Sequence, residues 1–209
     1  MVDRLAGWSR PLEWAVAAAP APGEAASGDL HLVCPTTDGL LVAVVDGLGH
    51  GTGAATAARR AVDALEAYRE ESTVSLVRRC HAQLLATRGA AMCIAKFRLE
   101  DDTMTWLSIG NVAALLLRAD SHTSRPMESA VARSGVVGHR LPALQGSITK
   151  VWPGDLLILA TDGIHRELGE TLALGLDPRT LSERILERHR RPDDDALVLA
   201  ARYQNEASA

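Results

Sequence analysis

The chain has 209 residues and a formal net charge of −4, and 47% of its residues are hydrophobic while only 3% are aromatic. This length and apolar content predict one domain with a sizeable core of Ala, Leu and Val. The acidic balance excludes the strongly basic footprint that a nucleic-acid partner requires.

The three cysteines, Cys34, Cys80 and Cys93, have no CxxC spacing. This usage is typical of reduced thiols in the cytoplasm, buried as small apolar side chains. The N-terminus lacks the charged and apolar regions of a secretory leader, and no apolar run approaches the roughly 18 residues that cross a bilayer. We therefore expect a cytoplasmic monomer with neither a membrane nor a nucleic-acid partner.

The periodicity of apolar residues and the turn residues between them predict an alternation of strands and helices. In chain order the predicted elements are strands at 13–19, 30–34 and 40–45, helices at 54–69 and 75–88, strands at 90–99, 103–109, 112–118, 147–152 and 156–160, helices at 164–168 and 178–189, and a strand at 196–201. Gly110-Asn111 predicts a hairpin between its flanking strands. The polar segment 119–147 has little period and predicts an irregular flap.

This order of elements predicts an α+β fold. We expect two antiparallel sheets with helices outside, in one domain that spans residues 1–209. Residues 1–26 are the least patterned part of the chain, and they hold the first strand and an Ala/Pro/Gly loop.

The stretch 41–53, LVAVVDGLGHGTG, combines an apolar strand with a glycine-rich turn and the start of an alanine-rich helix. The strand delivers Asp46 to its tip. Glycine follows at every second position from 47 to 53, which suits a backbone that turns sharply or approaches a ligand closely. The alternative is an ordinary strand-to-helix turn, which Asp-Gly alone often marks.

The same design recurs at 156–164, LLILATDGI, where an apolar strand ends at Asp162-Gly163. A third acidic region, 193–195, comes immediately before the apolar strand 196–201. Ends of neighbouring strands can converge in a fold, and clustered carboxylates repel one another unless a cation lies among them. The three regions therefore indicate a cation site.

Four segments, in this order and spacing, resemble the metal-dependent serine/threonine phosphatases of the protein phosphatase 2C superfamily, in its SpoIIE-like bacterial branch. They are VVDGLGHG, LSIGN, PGDLLILATDGI and DDDALVL, and the resemblance covers about residues 27–202. It implies a four-layer α-β-β-α sandwich, which agrees with the element order above. In its DGLGHG motif, and in lacking a sensory or linker domain, the chain most resembles the stand-alone member of this branch, which resets stressosome proteins.

The metal ligands that the resemblance implies are Asp29, Asp46, Gly47 through its carbonyl, Asp162, Asp194 and Asp195. In the family's arrangement Asp46 bridges two ions, and Asp29 reaches the metal largely through water. Asp194 is the better match to the last metal-binding acid, with Asp195 in the second position. A shift by one is the alternative, because Asp193 extends the acidic run.

Carboxylates, a backbone carbonyl and waters are hard oxygen ligands, which suit Mn²⁺ or Mg²⁺. The resemblance implies two such ions, with Asp46 and Asp162 at the centre of the reaction. Two ions about 3.5–4 Å apart can lower the pKa of a bridging water and clamp the phosphoryl oxygens for in-line attack. No phosphoenzyme is then needed, because the developing charge lies on the equatorial oxygens and is stabilised there.

The chain departs from the family in two places. Animal members carry a histidine directly after the first Asp-Gly, proposed as general acid, whereas Leu48 occupies that position here and His50 follows two residues later. His50 is a candidate general acid, with a structural role in the turn as the alternative. The arginine that binds phosphate in eukaryotic members has no clear counterpart, and Arg10 is a remote candidate. Gly110 and Asn111 resemble a structural turn near the site.

The resemblance implies dephosphorylation of phosphorylated STAS-domain stressosome proteins, or of an anti-sigma-factor antagonist, in bacterial stress signalling. The rival from another class is a catalytically weak or inactive module that keeps the fold and sequesters a signalling partner. The retained acids argue against it, because clustered carboxylates without a cation cost stability. A structural Ca²⁺ site is disfavoured because nothing resembles an EF-hand loop. The basic run 188–191 predicts a solvated helix end, with docking of an acidic partner as the alternative.

Overall fold

The computed structural model describes residues 3–119, 126–165, 167, 168, 172 and 174–204. In chain order its elements are β1 (Asp3–Ser9), β2 (Leu12–Ala19), β3 (Asp29–Thr36), β4 (Gly39–Gly47), α1 (Gly51–Ala67), α2 (Thr73–Leu84), β5 (Ala90–Arg98), β6 (Thr103–Ile109), β7 (Ala113–Leu117), β8 (Met127–Ser129), β9 (Ala132–Arg133), β10 (Ser147–Lys150), β11 (Leu156–Ala160), α3 (Pro178–His189) and β12 (Ala196–Tyr203).

The strands form two sheets that face each other. The first sheet has the order β1-β2-β12-β11-β7-β8, and the second has the order β10-β6-β5-β4-β3 with β9 beside β6. All pairs are antiparallel except β6 with β9. One apolar cluster, which includes Phe97, Trp106, Leu157 and Leu199, fills the space between the sheets. The predicted pair of facing antiparallel sheets is therefore confirmed.

The helices cover the outer faces of the two sheets. α1 and α2 bury an apolar stripe that includes Ala61, Leu65 and Leu76 against the second sheet. α3 buries Leu181 and Ile185 against the first sheet. Together these layers form the predicted four-layer α-β-β-α sandwich.

Local sequence explains where two of the helices begin. The Ser72 hydroxyl accepts the Ser75 backbone N–H at 3.2 Å at the start of α2. The Asp177 carboxylate accepts the Thr180 backbone N–H at 2.9 Å at the start of α3, and Pro178 occupies the first turn, where its missing N–H costs nothing. α3 begins and ends where the sequence predicts, whereas α2 ends at Leu84, four residues before the predicted end at 88.

One strand was missed, and one prediction about strand pairing is wrong. β1 was not predicted, because DRLAGWS has little alternation; it is an edge strand that pairs with β2 alone among the described strands. The predicted hairpin at Gly110-Asn111 does not form, since β6 lies in the second sheet and β7 in the first. Gly110 has φ +85° and approaches Ala91 closely enough that a Cβ would lie 2.5 Å from its Cβ. This turn therefore carries the chain from one sheet to the other.

The segment 119–147 is more ordered than predicted in its described part. β8 extends the first sheet, β9 and β10 extend the second, and Val136 bridges Arg140. The Arg118 guanidinium, which is 5% exposed, pairs with Asp155 at 2.7 Å and with Glu128 of β8, and it donates to the Thr149 hydroxyl of β10 at 3.0 Å. This network ties the edges of the two sheets together. Residues 120–125 of the predicted flap lie outside the described residues.

The short helix predicted at 164–168 is also wrong in its described part. Ile164 forms an isolated bridge with Arg190, and residues 165, 167 and 168 are not helical. Residue 166 of the predicted helix lies outside the described residues. No helix in the described part of the chain is long and apolar enough to span a bilayer.

Candidate metal centre

Both sheets place an acidic residue at the same end of the sandwich. In the second sheet Asp29 at the start of β3 lies opposite Asp46 near the end of β4. In the first sheet Asp162 follows the end of β11, and Asp194 precedes the start of β12, which pairs antiparallel with β11. The pleat and register of these strands therefore bring together the three acidic regions that the sequence predicts.

A threonine joins the two sheets across this site. The Thr161 hydroxyl donates to Asp29 Oδ2 at 2.7 Å and accepts the Leu197 backbone N–H at 2.9 Å. Asp29 is 3% exposed, so this contact orients a buried carboxyl. Sequence reasoning missed Thr161, although a hydroxyl residue directly before Asp-Gly was the available signal.

Burial and mutual repulsion raise the pKa of three of the acids. Burial raises the pKa of Asp29 to about 8 against the lowering effect of its Thr161 hydrogen bond, and the charges of neighbouring aspartates add to the rise. Burial is also the main cause that raises the pKa of Asp46 to about 9. The charges of Asp29 and Asp162 and a hydrogen bond with Asp162 add to this rise. The pKa of Asp194 is raised by burial and then by the charge of Asp162. A cation among these carboxyls would relieve the repulsion.

Asn111 acts on the site through its side chain. Its Nδ2 donates to Asp162 Oδ2, so the turn between β6 and β7 holds an acid that belongs to β11. The sequence predicts only a structural turn here. The side-chain contact makes Asn111 a positioning residue for Asp162.

Asp195 has a different environment from Asp194. Its two carboxylate oxygens accept the backbone N–H groups of Ala21 at 2.7 Å and Gly28 at 2.8 Å, and the residue is 4% exposed. One Asp194 oxygen accepts the Asp195 backbone N–H at 2.9 Å. The geometry therefore favours Asp194 as the metal ligand and gives Asp195 the role of anchoring the loop 20–28.

Asp194→Asn and Asp195→Asn should therefore have separable effects. We expect Asp195→Asn to lower the free energy of unfolding by about 1–3 kcal/mol, because one buried backbone N–H loses its acceptor. Asp194→Asn should leave stability near that of the parent and weaken Mn²⁺ binding at least about tenfold. Thermal unfolding without metal and calorimetric Mn²⁺ titration measure both quantities. A loss of Mn²⁺ affinity in Asp195→Asn as large as that in Asp194→Asn would restore Asp195 as a ligand.

The glycine of each Asp-Gly pair is required by close backbone packing. A Cβ on Gly47 would lie 2.2 Å from the Ala54 carbonyl oxygen, and one on Gly163 would lie 1.8 Å from the Asp195 carbonyl oxygen. Later in the first turn, Gly49 and Gly51 have φ +82° and +72°, a region that favours glycine. The close approach and positive φ predicted for this turn are therefore both present.

His50 lies at the N-cap of α1, with its side chain exposed. Its Nδ1 lies 2.6 Å from Glu24 Oε1 in the loop 20–28, and its carbonyl accepts from Arg88 at 3.2 Å. The Glu24 contact fixes the orientation of the ring. The general-acid role of His50 stays a prediction.

Arg10 cannot bind the phosphate in this fold. It lies in the turn between β1 and β2, next to Leu12, which pairs with Tyr203 at the end of β12. The acids lie at the opposite end, where Ala19 pairs with Ala196. The seven-residue length of strand between Leu12 and Ala19 corresponds to about 23 Å, so the suggestion of Arg10 is wrong.

The donor set suits hard divalent cations. The candidate ligands offer carboxylate and carbonyl oxygen, which Mg²⁺ and Mn²⁺ prefer. Within the described residues, no three acidic, histidine or cysteine side chains converge on a single ion position. Mg²⁺ commonly uses one or two carboxylates and keeps several waters. The residues therefore fit ions that are partly hydrated.

Known proteins resemble this chain in sequence. The family described as Stage II sporulation protein E (SpoIIE) matches residues 36–204. The phosphoserine phosphatase RsbX of Bacillus subtilis (strain 168) is 27% identical over 143 residues, which cover 68% of this chain and 70% of RsbX. The family match extends over most of the chain and includes all the predicted metal ligands except Asp29.

Solved structures resemble it in fold. A chain from work on the bacterial stressosome, described as a modular system adapted to control secondary messenger signalling, has a TM-score of 0.84 at 29% identity and covers 91% of this chain and 99% of its own. RsbX in complex with magnesium has a TM-score of 0.84 at 22% identity, with 98% and 100% covered. The PP2C phosphatase domain of SpoIIE from Bacillus subtilis has a TM-score of 0.77 at 19% identity and is thus similar in fold. This chain belongs to the family described as Stage II sporulation protein E (SpoIIE).

Proposed function

We propose that this protein is a Mn²⁺- or Mg²⁺-dependent phosphatase that removes phosphate from serine or threonine of a stressosome STAS-domain protein. The observation that carries the proposal is the convergence of Asp29, Asp46, Asp162 and Asp194 at one end of the sandwich. Burial and mutual repulsion raise the pKa of Asp29 to about 8 and that of Asp46 to about 9. An acidic cluster of this kind is costly without cations and effective with them.

The residues of the chain have distinct tasks in this proposal. Asp46 contacts Asp162, which follows a strand of the first sheet, and lies opposite Asp29 in the second sheet. This position between the other acids suits a ligand shared by two cations. Asn111 orients Asp162, and Thr161 orients Asp29. When bound, two divalent cations supply activation of water and neutralisation of the phosphoryl oxygens. The protein then contributes mainly positioning and charge, as phosphoryl transfer requires.

His50 is the candidate proton donor to the leaving serine or threonine oxygen. Its ring is exposed, at the edge of the glycine-rich turn that follows Asp46, and Glu24 holds its Nδ1. A carboxylate partner of this kind fixes the orientation of an imidazole. The alternative, a purely structural role in the turn, would leave the pH profile of His50→Gln unchanged.

The proposed partner follows from the relatives. RsbX is named a phosphoserine phosphatase, and the neighbour at 29% identity comes from work on the bacterial stressosome. A phosphatase of the same family would remove phosphate from a stressosome protein of the STAS type. A phosphorylated anti-sigma-factor antagonist is the neighbouring alternative within the same class, and the partner captured in a pull-down would separate the two.

Activity should depend entirely on added divalent cation. We expect hydrolysis of p-nitrophenyl phosphate and of a phosphoserine protein with Mn²⁺ or Mg²⁺, and a loss of at least about 100-fold in EDTA, because the acids alone neither activate water nor neutralise the phosphate. Release of inorganic phosphate measures both reactions, and re-addition of Mn²⁺ should restore them. Folded protein that hydrolyses neither substrate with either ion would contradict the proposal and favour a module that only binds and sequesters its partner.

A further inference from the structure

A small cavity shares three residues with the candidate metal centre, namely Asn111, Thr161 and Asp162. The rest of the wall comes from the start of β7, the end of β11, the residues between β8 and β9, and the segment after Asp162. A substrate whose phosphate contacts Asp162 would therefore lie beside this cavity.

The walls of the cavity are mainly apolar. Alternate residues of β7 face opposite sides of the sheet: Ala114 and Leu116 point between the sheets, whereas Ala113 and Leu115 point outward. Ile164 and Leu168, both buried, close the outer side. A cavity with such walls favours an apolar group over a charged one.

The size of the cavity fits a single side chain. Its volume is about 290 Å³, which is at the lower end of the range for small-molecule pockets. Small side chains keep the space open, namely Ala113, Ala114, Ala130, Ala132 and Ala160. A second cavity of about 770 Å³ touches Asp29, but Glu24, His31 and Arg59 also line it. It therefore carries more ionisable side chains than the first cavity, where, among the described lining residues, only Asp162 and His165 are ionisable.

The reach of an extended substrate matches this position. Successive residues of an extended chain are about 3.3–3.6 Å apart, and their side chains alternate in direction. With the phosphate on the acids, a side chain one or two residues away would lie next to Asp162. We propose that this cavity is a specificity pocket, which takes an apolar side chain within two residues of the phosphorylated serine or threonine. This inference rests on the proposed phosphatase function.

Paired phosphopeptides test the pocket directly. Each pair would carry Leu or Gln at one position from −2 to +2 around phosphoserine, and kcat/KM would be measured with Mn²⁺. We expect a preference for Leu of about tenfold or more at one position, the size that apolar pockets commonly give. Ala113→Leu, which fills the cavity, should reduce that preference to about twofold or less.

Ala82→Leu is the matched control, since Ala82 is exposed on α2 and distant from the cavity lining. Thermal unfolding would check that each variant folds. If Ala113→Leu is unstable, Ala113→Gly enlarges the cavity and should extend the preference to Phe. Equal hydrolysis of every pair by the parent, or a Leu preference unchanged in both variants, would overturn the pocket and leave the phosphatase intact. Hydrolysis of no peptide, together with no hydrolysis of p-nitrophenyl phosphate or of a phosphoserine protein, would overturn the phosphatase proposal and, with it, the pocket.

Discussion

Asp46→Asn is expected to lower kcat by about 1,000-fold or more, with either p-nitrophenyl phosphate or a phosphoserine protein as substrate. Asp46 contacts Asp162 and lies opposite Asp29, so it is the residue best placed to bridge two cations. An amide has nearly the shape of the carboxyl but lacks its charge, and loss of charge stabilisation at the reacting group costs several kcal/mol. Initial rates of phosphate release, with Mn²⁺ varied at saturating substrate, measure the effect.

Loss of activity in this variant should not come from unfolding. Burial, followed by the charges of Asp29 and Asp162, raises the pKa of Asp46, so folding at neutral pH must keep this carboxyl protonated. Asn carries no charge in either state and avoids this cost, so the metal-free variant should be at least as stable as the parent at neutral pH. Asp63→Asn, at an exposed position of α1, is the matched control and should keep parental activity. Activity of Asp46→Asn within tenfold of the parent, at saturating Mn²⁺, would show that Asp46 does not bridge the ions.

The metal-free protein should lose stability as the pH rises from 7 to 9, and added Mn²⁺ or Mg²⁺ should reverse the loss. The pKa of Asp29 rises from 3.8 to about 8 on folding, and that of Asp46 from 3.8 to about 9. Between pH 3.8 and the raised pKa of each group, the folded state binds more protons than the unfolded state, so the free energy of unfolding falls with increasing pH. The stabilising contribution is complete below pH 3.8 and is lost as the pH passes through about 8 and 9.

The expected slope is at most about 1.4 kcal/mol per pH unit for each group, which corresponds to a fall of about 3 °C or more in Tm for a protein of this size. Thermal unfolding at pH 7, 8 and 9, with EDTA or with cation, measures it. Burial lowers the pKa of His31 below 6.5, a contribution of opposite sign that ends below this window. A metal-free Tm that rises between pH 7 and 9, or that Asp46→Asn leaves equally steep, would contradict the explanation.

The fold was predictable where local sequence and burial agree. β11 and α3 have the predicted bounds, because LLILA is buried throughout and because Asp177 and Pro178 mark a helix start. Pairing across distance was not predictable in the same way. Nothing in LSIGN indicates that β6 and β7 belong to different sheets, since that outcome depends on the close packing of Gly110 against Ala91.

In the candidate site, too, the residues marked by local sequence were predictable, whereas those that depend on distant contacts were not. Asp46 and Asp162 are recognisable because each ends an apolar strand and precedes a glycine that the backbone requires. The resemblance to a family added Asp29, which from its own sequence context is only a turn residue. Thr161 and Asn111 were missed as positioning residues, because their contacts with Asp29 and Asp162 span 132 and 51 residues of chain. The distinct role of Asp195 also required the structure, since Ala21 and Gly28 lie far from it in sequence.

The site joins residues 21–29 to residues 161 and 195, which are synthesised much later. Asp29 bonds to a residue 132 positions later, and Asp195 holds backbone 167 and 174 positions earlier. Contacts of such long range form late, because the loops that separate them must close first. A nascent chain emerging N-terminus first therefore lacks a complete centre until β12 leaves the ribosome. We expect cation binding to be confined to chains that already include β12, so that activity begins only after this strand has been synthesised and paired.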